Sequence, residues 1–97
     1  MIPAARALDS GHRAAATKLG AIYFEAAAAM DDSAFAARHY GMAASYYEQA
    51  LTVEGDYPEA LNNLGSVYMM LERYRDAVDV LERAAARSPN FADVFYN

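Results

Sequence analysis

Few residues in this chain have side chains suited to bond-making chemistry, and their spacing works against it. The chain has two histidines, His12 and His39, 27 positions apart, and one pair of adjacent aspartates, Asp31 and Asp32. No ligand set is spaced around either histidine, so both are read as surface or packing residues. A calcium loop needs further oxygen ligands at fixed intervals and a glycine at its sharp turn, and neither follows Asp31 and Asp32; the pair reads instead as a turn between helices. Cysteine is absent, which excludes thiolate nucleophiles, thiolate metal sites and disulfides. There is no Gly-rich phosphate loop and no nucleophile elbow. No enzymatic activity, metal or cofactor is therefore expected, and the next question is what scaffold these residues sit on.

Composition narrows that scaffold. With 97 residues the chain can form one small domain or a few helical repeats, too little to enclose a large active site. A net charge of −5 argues against nucleic acid, whose binding relies on Lys and Arg neutralising phosphates. Apolar residues make up 56% of the chain, yet charges recur often enough that no run approaches the roughly 18 residues of a membrane span. The start, MIPAARALDSG, lacks the basic head and continuous apolar core of a signal peptide. A cytoplasmic location without membrane insertion is expected. Seven arginines against one lysine, with about a quarter alanine, suggest a GC-rich bacterial coding sequence.

The dominant residues are helix formers, and β-branched residues are scarce. Breaker clusters at DSG (9–11), DDS (31–33), EGDYP (54–58) and SPN (88–90) divide the chain into helical pieces. Ala60, Leu64, Val67, Tyr68 and Leu71 fall on one helical face, and Glu59, Asn62, Asn63, Ser66 and Met70 on another. In the next piece Ala77, Val78, Leu81, Ala84 and Ala85 form the expected buried stripe. Arg75, Asp79 and Arg83 alternate in sign at four-residue steps, a solvated face with weak pairs of about 0.2–0.5 kcal/mol each.

These pieces repeat. A shift of 34 residues places Tyr40 on Tyr74, Ala43 on Ala77, Ala50 on Ala84 and Asn63 on Asn97, and less strictly Tyr47 on Leu81, Tyr57 on Phe91 and Leu61 on Phe95. Gly55 falls on Pro89 at the turn. Such a period marks stacked helical hairpins.

The segment PEALNNLGSVYMMLERYRDAVDVLERAAARSPN resembles a tetratricopeptide repeat, the 34-residue helix-turn-helix unit. Its pattern is met by Leu61 in place of the first Trp, then Leu64-Gly65, Tyr68, Tyr74, Ala77, Leu81, Ala84 and Pro89. The segment is similar to the repeats of O-linked N-acetylglucosamine transferase and of bacterial scaffold proteins. The resemblance implies an all-α fold of antiparallel hairpins stacked as a right-handed superhelix. Gly65 and Ala77 would let two helices approach closely, with Tyr68 and Leu81 filling the space beside them.

The expected organisation is a single repeat domain. Residues 1–11 form the tail of a preceding repeat, 12–57 a long-hairpin repeat, 58–91 a regular repeat and 92–97 the start of a truncated one. Neither end has the polar outer face of a capping repeat, so an excerpt of a longer protein is expected. In the first repeat Leu19, Gly20 and Tyr23 match Leu64, Gly65 and Tyr68 at an offset of 45, not 34, so eleven residues are added before Tyr40. The added stretch is alanine-rich and lacks loop residues. Five or six residues added to each helix would push the hairpin tip outward by about 8–9 Å. The turn then falls at MDDS, with Asp32 or Ser33 capping the next helix and Phe24, Met30 and Phe35 as the bulky contacts of the tip.

By resemblance, such repeats bind a peptide or protein in the groove lined by their first helices. The corresponding positions are Lys18, Ala21 and Glu25 in the first repeat, Glu59, Asn62, Asn63, Ser66 and Met70 in the second, and Asn97 at the start of the third. Asn63 and Asn97 match an asparagine ladder that holds peptide backbones, a task suited to a carboxamide because it both donates and accepts; Lys18 interrupts the ladder. A clamp for acidic C-terminal tails is not expected, since Thr17, Ala21 and Asp93 stand where basic or amide groups would be needed. The expected function is a protein-protein interaction module within a larger scaffold or enzyme. The alternatives are self-assembly into homo-oligomers through uncapped repeat ends, and a targeting domain of a transferase-type enzyme.

Overall fold

The computed structural model describes residues 2–53, 55 and 57–87, with side chains from Gly11 onward. Four helices follow in order: α1 (Ile2–Ala28), α2 (Ser33–Val53), α3 (Pro58–Met70) and α4 (Tyr74–Arg87). The described chain is all-α, as the composition predicts. Consecutive helices pack side by side, α1 on α2, α2 on α3 and α3 on α4, while α1 touches α3 along a short stretch. The result is two antiparallel hairpins stacked on one another, α1–α2 and α3–α4, with the core in the layer between them.

Each hairpin closes around a glycine. A methyl group placed on Gly20 would lie 2.6 Å from the Tyr47 ring, and one on Gly65 would lie 2.5 Å from the Leu81 side chain. Only a residue without a Cβ lets these helix pairs come so close, which offsets the roughly 1 kcal/mol that glycine costs in a helix interior. Beside these contacts Ala43, Ala50, Ala77 and Ala84 are fully buried; all four are positions matched by the 34-residue shift. Leu61, standing where the family pattern has Trp, is also fully buried.

The eleven added residues are accommodated as helix, but not in equal shares. At the 45-residue offset the end of α3 at Met70 corresponds to Glu25, and α1 runs three residues further, to Ala28. The start of α4 at Tyr74 corresponds to Tyr40, and α2 begins seven residues earlier, at Ser33; the remaining residue lies in the turn. The second arm therefore takes most of the extension, about 10 Å at 1.5 Å per residue. Asp32 fixes this partition. Its Oδ1 accepts from the backbone N–H of Ala34 at 2.9 Å and of Phe35 at 3.1 Å, and its carbonyl accepts from Ala36 N–H, an N-cap that starts α2 where the aspartate stands.

The second hairpin turns by a different device. Arg73 N–H donates to the Tyr68 carbonyl and Glu72 N–H to the Met69 carbonyl, the paired bonds of a Schellman motif. The left-handed position is held by Glu72, with φ of 60°, where glycine would be the unstrained choice. Arg73 then opens α4: its carbonyl accepts from Ala77 N–H and its Nε pairs with Asp76 Oδ2 at 2.9 Å.

Several expectations need correction. The DSG cluster at 9–11 does not break the helix, because α1 runs through it; a single glycine between two alanine-rich stretches is a cost, not a stop. His12 accordingly sits inside α1, exposed on its surface. Val78 is exposed and Val80 buried, because Ala77, Val80 and Ala84 form the face of α4 that meets the neighbouring helices. Phe35 is exposed, with the Arg38 guanidinium 5.9 Å over its ring. Pro89, Phe91, Phe95 and Asn97, and with them the expected start of a third repeat at 92–97, lie outside the described residues.

Candidate functional site

The expected groove residues are carried by α1 and α3. Among the nine named, Lys18, Glu25, Glu59, Ser66 and Met70 are exposed, Ala21, Asn62 and Asn63 are half-buried, and Asn97 is not among the described residues. The helical period accounts for this arrangement, since the opposite face of α3 buries Ala60, Leu61, Leu64, Val67 and Tyr68. α3 begins at Pro58, whose fixed φ suits the first helical position, after the extended Tyr57.

Three of the expected residues act on Tyr47. This side chain is 1% exposed, with its ring against Gly20 of α1. Burial pushes its hydroxyl up to about 12, the carboxylates of Glu59 and Glu25 push in the same direction, and the Asn63 side chain, within hydrogen-bonding reach, pulls partly back. Glu25 from α1 and Glu59 and Asn63 from α3 therefore all act on Tyr47 of α2, which lies where the two hairpins join. Sequence reasoning did not include Tyr47, treating it as the bulky core counterpart of Leu81. Its hydroxyl was the available signal, because a buried tyrosine needs a polar partner.

The remaining residues fall into two groups. Arg13 lies 4.3 Å over the Tyr57 ring, and the Tyr57 hydroxyl donates to Glu59 Oε1 at 3.0 Å, which orients that carboxylate. Further along α3, Ser66 Oγ donates to the Asn62 carbonyl at 3.4 Å, and Asn62 Oδ1 is buried with no hydrogen-bond partner. Met70, at the end of α3, lines a separate cleft of about 310 Å³ beneath the tip of the long hairpin. Lys18 joins none of these groups.

A second cavity of about 280 Å³ lies between α2 and α4, lined by Glu48, Leu51, Asp76, Asp79 and Arg83 among others. Its polar groups are largely engaged with one another. The Tyr68 hydroxyl, pushed up to about 12 by burial and by Glu48, donates to Glu48 Oε2 at 2.7 Å. Arg73 covers the Tyr68 ring at 4.4 Å, and Arg83 Nη2 donates to the Gly55 carbonyl at 2.6 Å. His39 is likewise engaged: its Nδ1 lies 2.9 Å from the Phe35 carbonyl and its ring tilts on Tyr23 at 5.9 Å. Among the described residues no three His, Asp or Glu side chains gather as a metal site, and no helix is long and apolar enough to cross a membrane. The arrangement offers hydrogen bonds, charge and apolar contact.

Comparison with known proteins agrees with this geometry. The chain is 43% identical over 53 residues to the protein O-mannosyl-transferase Tmtc2 of Drosophila melanogaster, a match that covers 55% of this chain and 5% of that protein. The chain therefore spans a small part of that relative's length. No solved structure matches it. The family model for the tetratricopeptide repeat matches residues 34–96, well over half of the chain, starting one residue inside α2 and leaving α1 outside the matched span. Stacked helical hairpins, close glycine contacts and a family match across α2, α3 and α4 together make this chain a member of the tetratricopeptide repeat family, a non-catalytic repeat module of the kind that mediates protein-protein interaction.

Proposed function

We propose that the chain binds a peptide or helix of a partner protein along the concave face formed by α1 and α3. The observation that carries this reading is that polar groups of both first helices act on one buried side chain between the hairpins. Glu25, Glu59 and Asn63 come from two successive first helices and all act on the Tyr47 hydroxyl, so a partner crossing that junction meets both repeats at once. Asn97 would extend the same row by one period. The module would serve as a scaffold or substrate-recruiting part of a larger protein.

The test must separate binding from support of Tyr47, since Asn63 serves both in this reading. Asn63→Ala is expected to weaken partner capture about tenfold and to lose about 1–3 kcal/mol by leaving the Tyr47 hydroxyl unpaired, while Tyr47→Phe, which removes only the hydroxyl, leaves capture intact and relieves that loss when combined with Asn63→Ala. Partner pull-down followed by calorimetry on the single and double variants checks this. Capture that returns together with stability in the double variant would assign Asn63 to structure alone.

A second reading, a targeting domain of a transferase, is favoured by the resemblance to the O-mannosyl-transferase. A third, self-assembly, is favoured by exposed apolar side chains, Leu19, Ile22 and Met42 on the first hairpin and Met69, Tyr74 and Val78 on the second. Light scattering across a concentration series distinguishes it, because a peptide-binding monomer keeps one mass.

A further inference from the structure

The unequal lengths of the hairpins leave a step. Measured from the Tyr47 and Leu81 contacts, α2 reaches seven residues further toward the tip than α4 does. The tip of the first hairpin therefore overhangs the end of α3, and of the described residues of the second hairpin Met70 lines the cleft beneath it. The cleft beneath is lined by Ala28, Met30, Ala36, Ala37, Tyr40 and Met70. Its walls are mostly methyl groups, which keep it open, and its volume of about 310 Å³ is at the lower end of the roughly 300–1,000 Å³ of ligand pockets. That is room for one large apolar side chain and part of a neighbour.

The rim has a definite sign. Asp31 is exposed there. The 27-residue α1 ends at the same place with no basic residue in its last turn; backbone N–H groups take up the carbonyls of Glu25, Ala26 and Ala27, and the helix dipole adds a modest negative potential to that of Asp31. The opposite pole, the start of α2, is already satisfied by Asp32. The whole chain carries −5.

We propose that this step is an anchoring site for a partner segment that places an apolar side chain in the cleft and an adjoining lysine or arginine against Asp31 and the α1 terminus. The inference rests on the reading of the α1 and α3 face as a peptide groove. Met70 links the two, because it belongs to the groove row on α3 and also lines the cleft. A peptide lying along α3 would reach the step at that residue. The step would then select the partner's sequence, while the groove carboxamides hold its backbone.

The experiment selects random dodecapeptides displayed on phage against the 97-residue chain, then measures the recovered peptides in synthetic form by fluorescence anisotropy. Recovered sequences are expected to share an apolar residue beside Lys or Arg. Ala37→Gln, which fills the cleft from an exposed position, is expected to weaken them about tenfold. Asp31→Lys should weaken them about fivefold at low salt, a difference that vanishes at high salt. Circular dichroism verifies folding, and Ala28→Gln, on the other wall and also exposed, replaces either variant that loses helicity. If Asn63→Ala weakens the peptides while both cleft variants bind as the native chain does, the cleft inference fails and the groove reading stands. If none of the three weakens them, both fail. Recovery of acidic peptides, recovery of none, or a dimer of the chain that Ala37→Gln abolishes also overturns the cleft proposal.

Discussion

The two hairpins share one close contact and differ in almost everything beyond it. In the first, Gly20 faces Tyr47; in the second, Gly65 faces Leu81. Twenty-seven residues separate the partners in the first hairpin and sixteen in the second, a difference equal to the eleven-residue insertion. The glycine contact fixes how the helices approach, so positions beside it must be small or of one shape. Beyond it the arms can lengthen, provided the added residues are helical and something restarts the chain at the tip. Asp32 does so in the long hairpin by capping α2, whereas the short hairpin turns through Glu72 in a left-handed conformation. Neighbours matter as well. Tyr40 is buried between the Phe24 ring, 5.5 Å away, and the cleft beside Met70, while its counterpart Tyr74 is 54% exposed, with no described hairpin on its far side.

The sharpest test of this comparison removes the bulky partner. Tyr47→Ala should cost about 3–5 kcal/mol, as large aromatic deletions in cores do, because Tyr47 is fully buried and supports helix packing. Leu81→Ala should cost clearly less, near the lower end of the roughly 2–5 kcal/mol of such changes, because Leu81 is partly exposed. Urea denaturation of both variants decides, and equal costs would mean that the two contacts are equivalent. The next effect is overpacking. Gly20→Ala drives a methyl group into a ring that cannot move, and a loss of about 1–3 kcal/mol is expected. Gly65→Ala should lose less, since Leu81 can rotate toward solvent and alanine regains about 1 kcal/mol of helix propensity. Tyr47→Leu in the Gly20→Ala background should recover part of the loss, a coupling readable by a double-mutant cycle.

The tips give the smaller effects. Asp32→Ala should cost about 1 kcal/mol and fray the start of α2, visible as faster amide exchange at Ala34 and Phe35. Glu72→Gly, in the short hairpin, should stabilise by about 0.5 kcal/mol, since glycine relieves the left-handed strain but adds freedom to the unfolded chain. A rise in melting temperature of a degree or more checks the sign. No gain would mean that the Glu72 side chain contributes more than its backbone costs.

Much of the fold was legible in sequence because helix packing leaves periodic traces. Alanines recur at 34-residue spacing where helices touch, and Leu-Gly occurs twice where they touch most closely. The displaced turn could be read for the same reason, since an alanine run cannot serve as a loop and Asp32 is a strong cap. The uneven division between α1 and α2 was less visible, because alanine permits a helix to end almost anywhere. The DSG cluster misled because its composition is that of a turn, while its neighbours are strong enough helix formers to carry the helix through. Of the candidate site, the groove face could be named from the helical period, but not that Glu25, Glu59 and Asn63 all act on a hydroxyl from α2.

The sequence by itself determined the helical class, the repeat, the close glycine contacts and the long first hairpin, because each follows from local propensity and from the size of residues at fixed intervals. Only the tertiary structure decided which polar groups share Tyr47, which face of α4 is buried, and that the unequal hairpins leave an open apolar step beside Met70. Those properties depend on how one hairpin sits against the next. Residues distant in sequence meet there through packing angle and arm length, and no short stretch of sequence specifies either one.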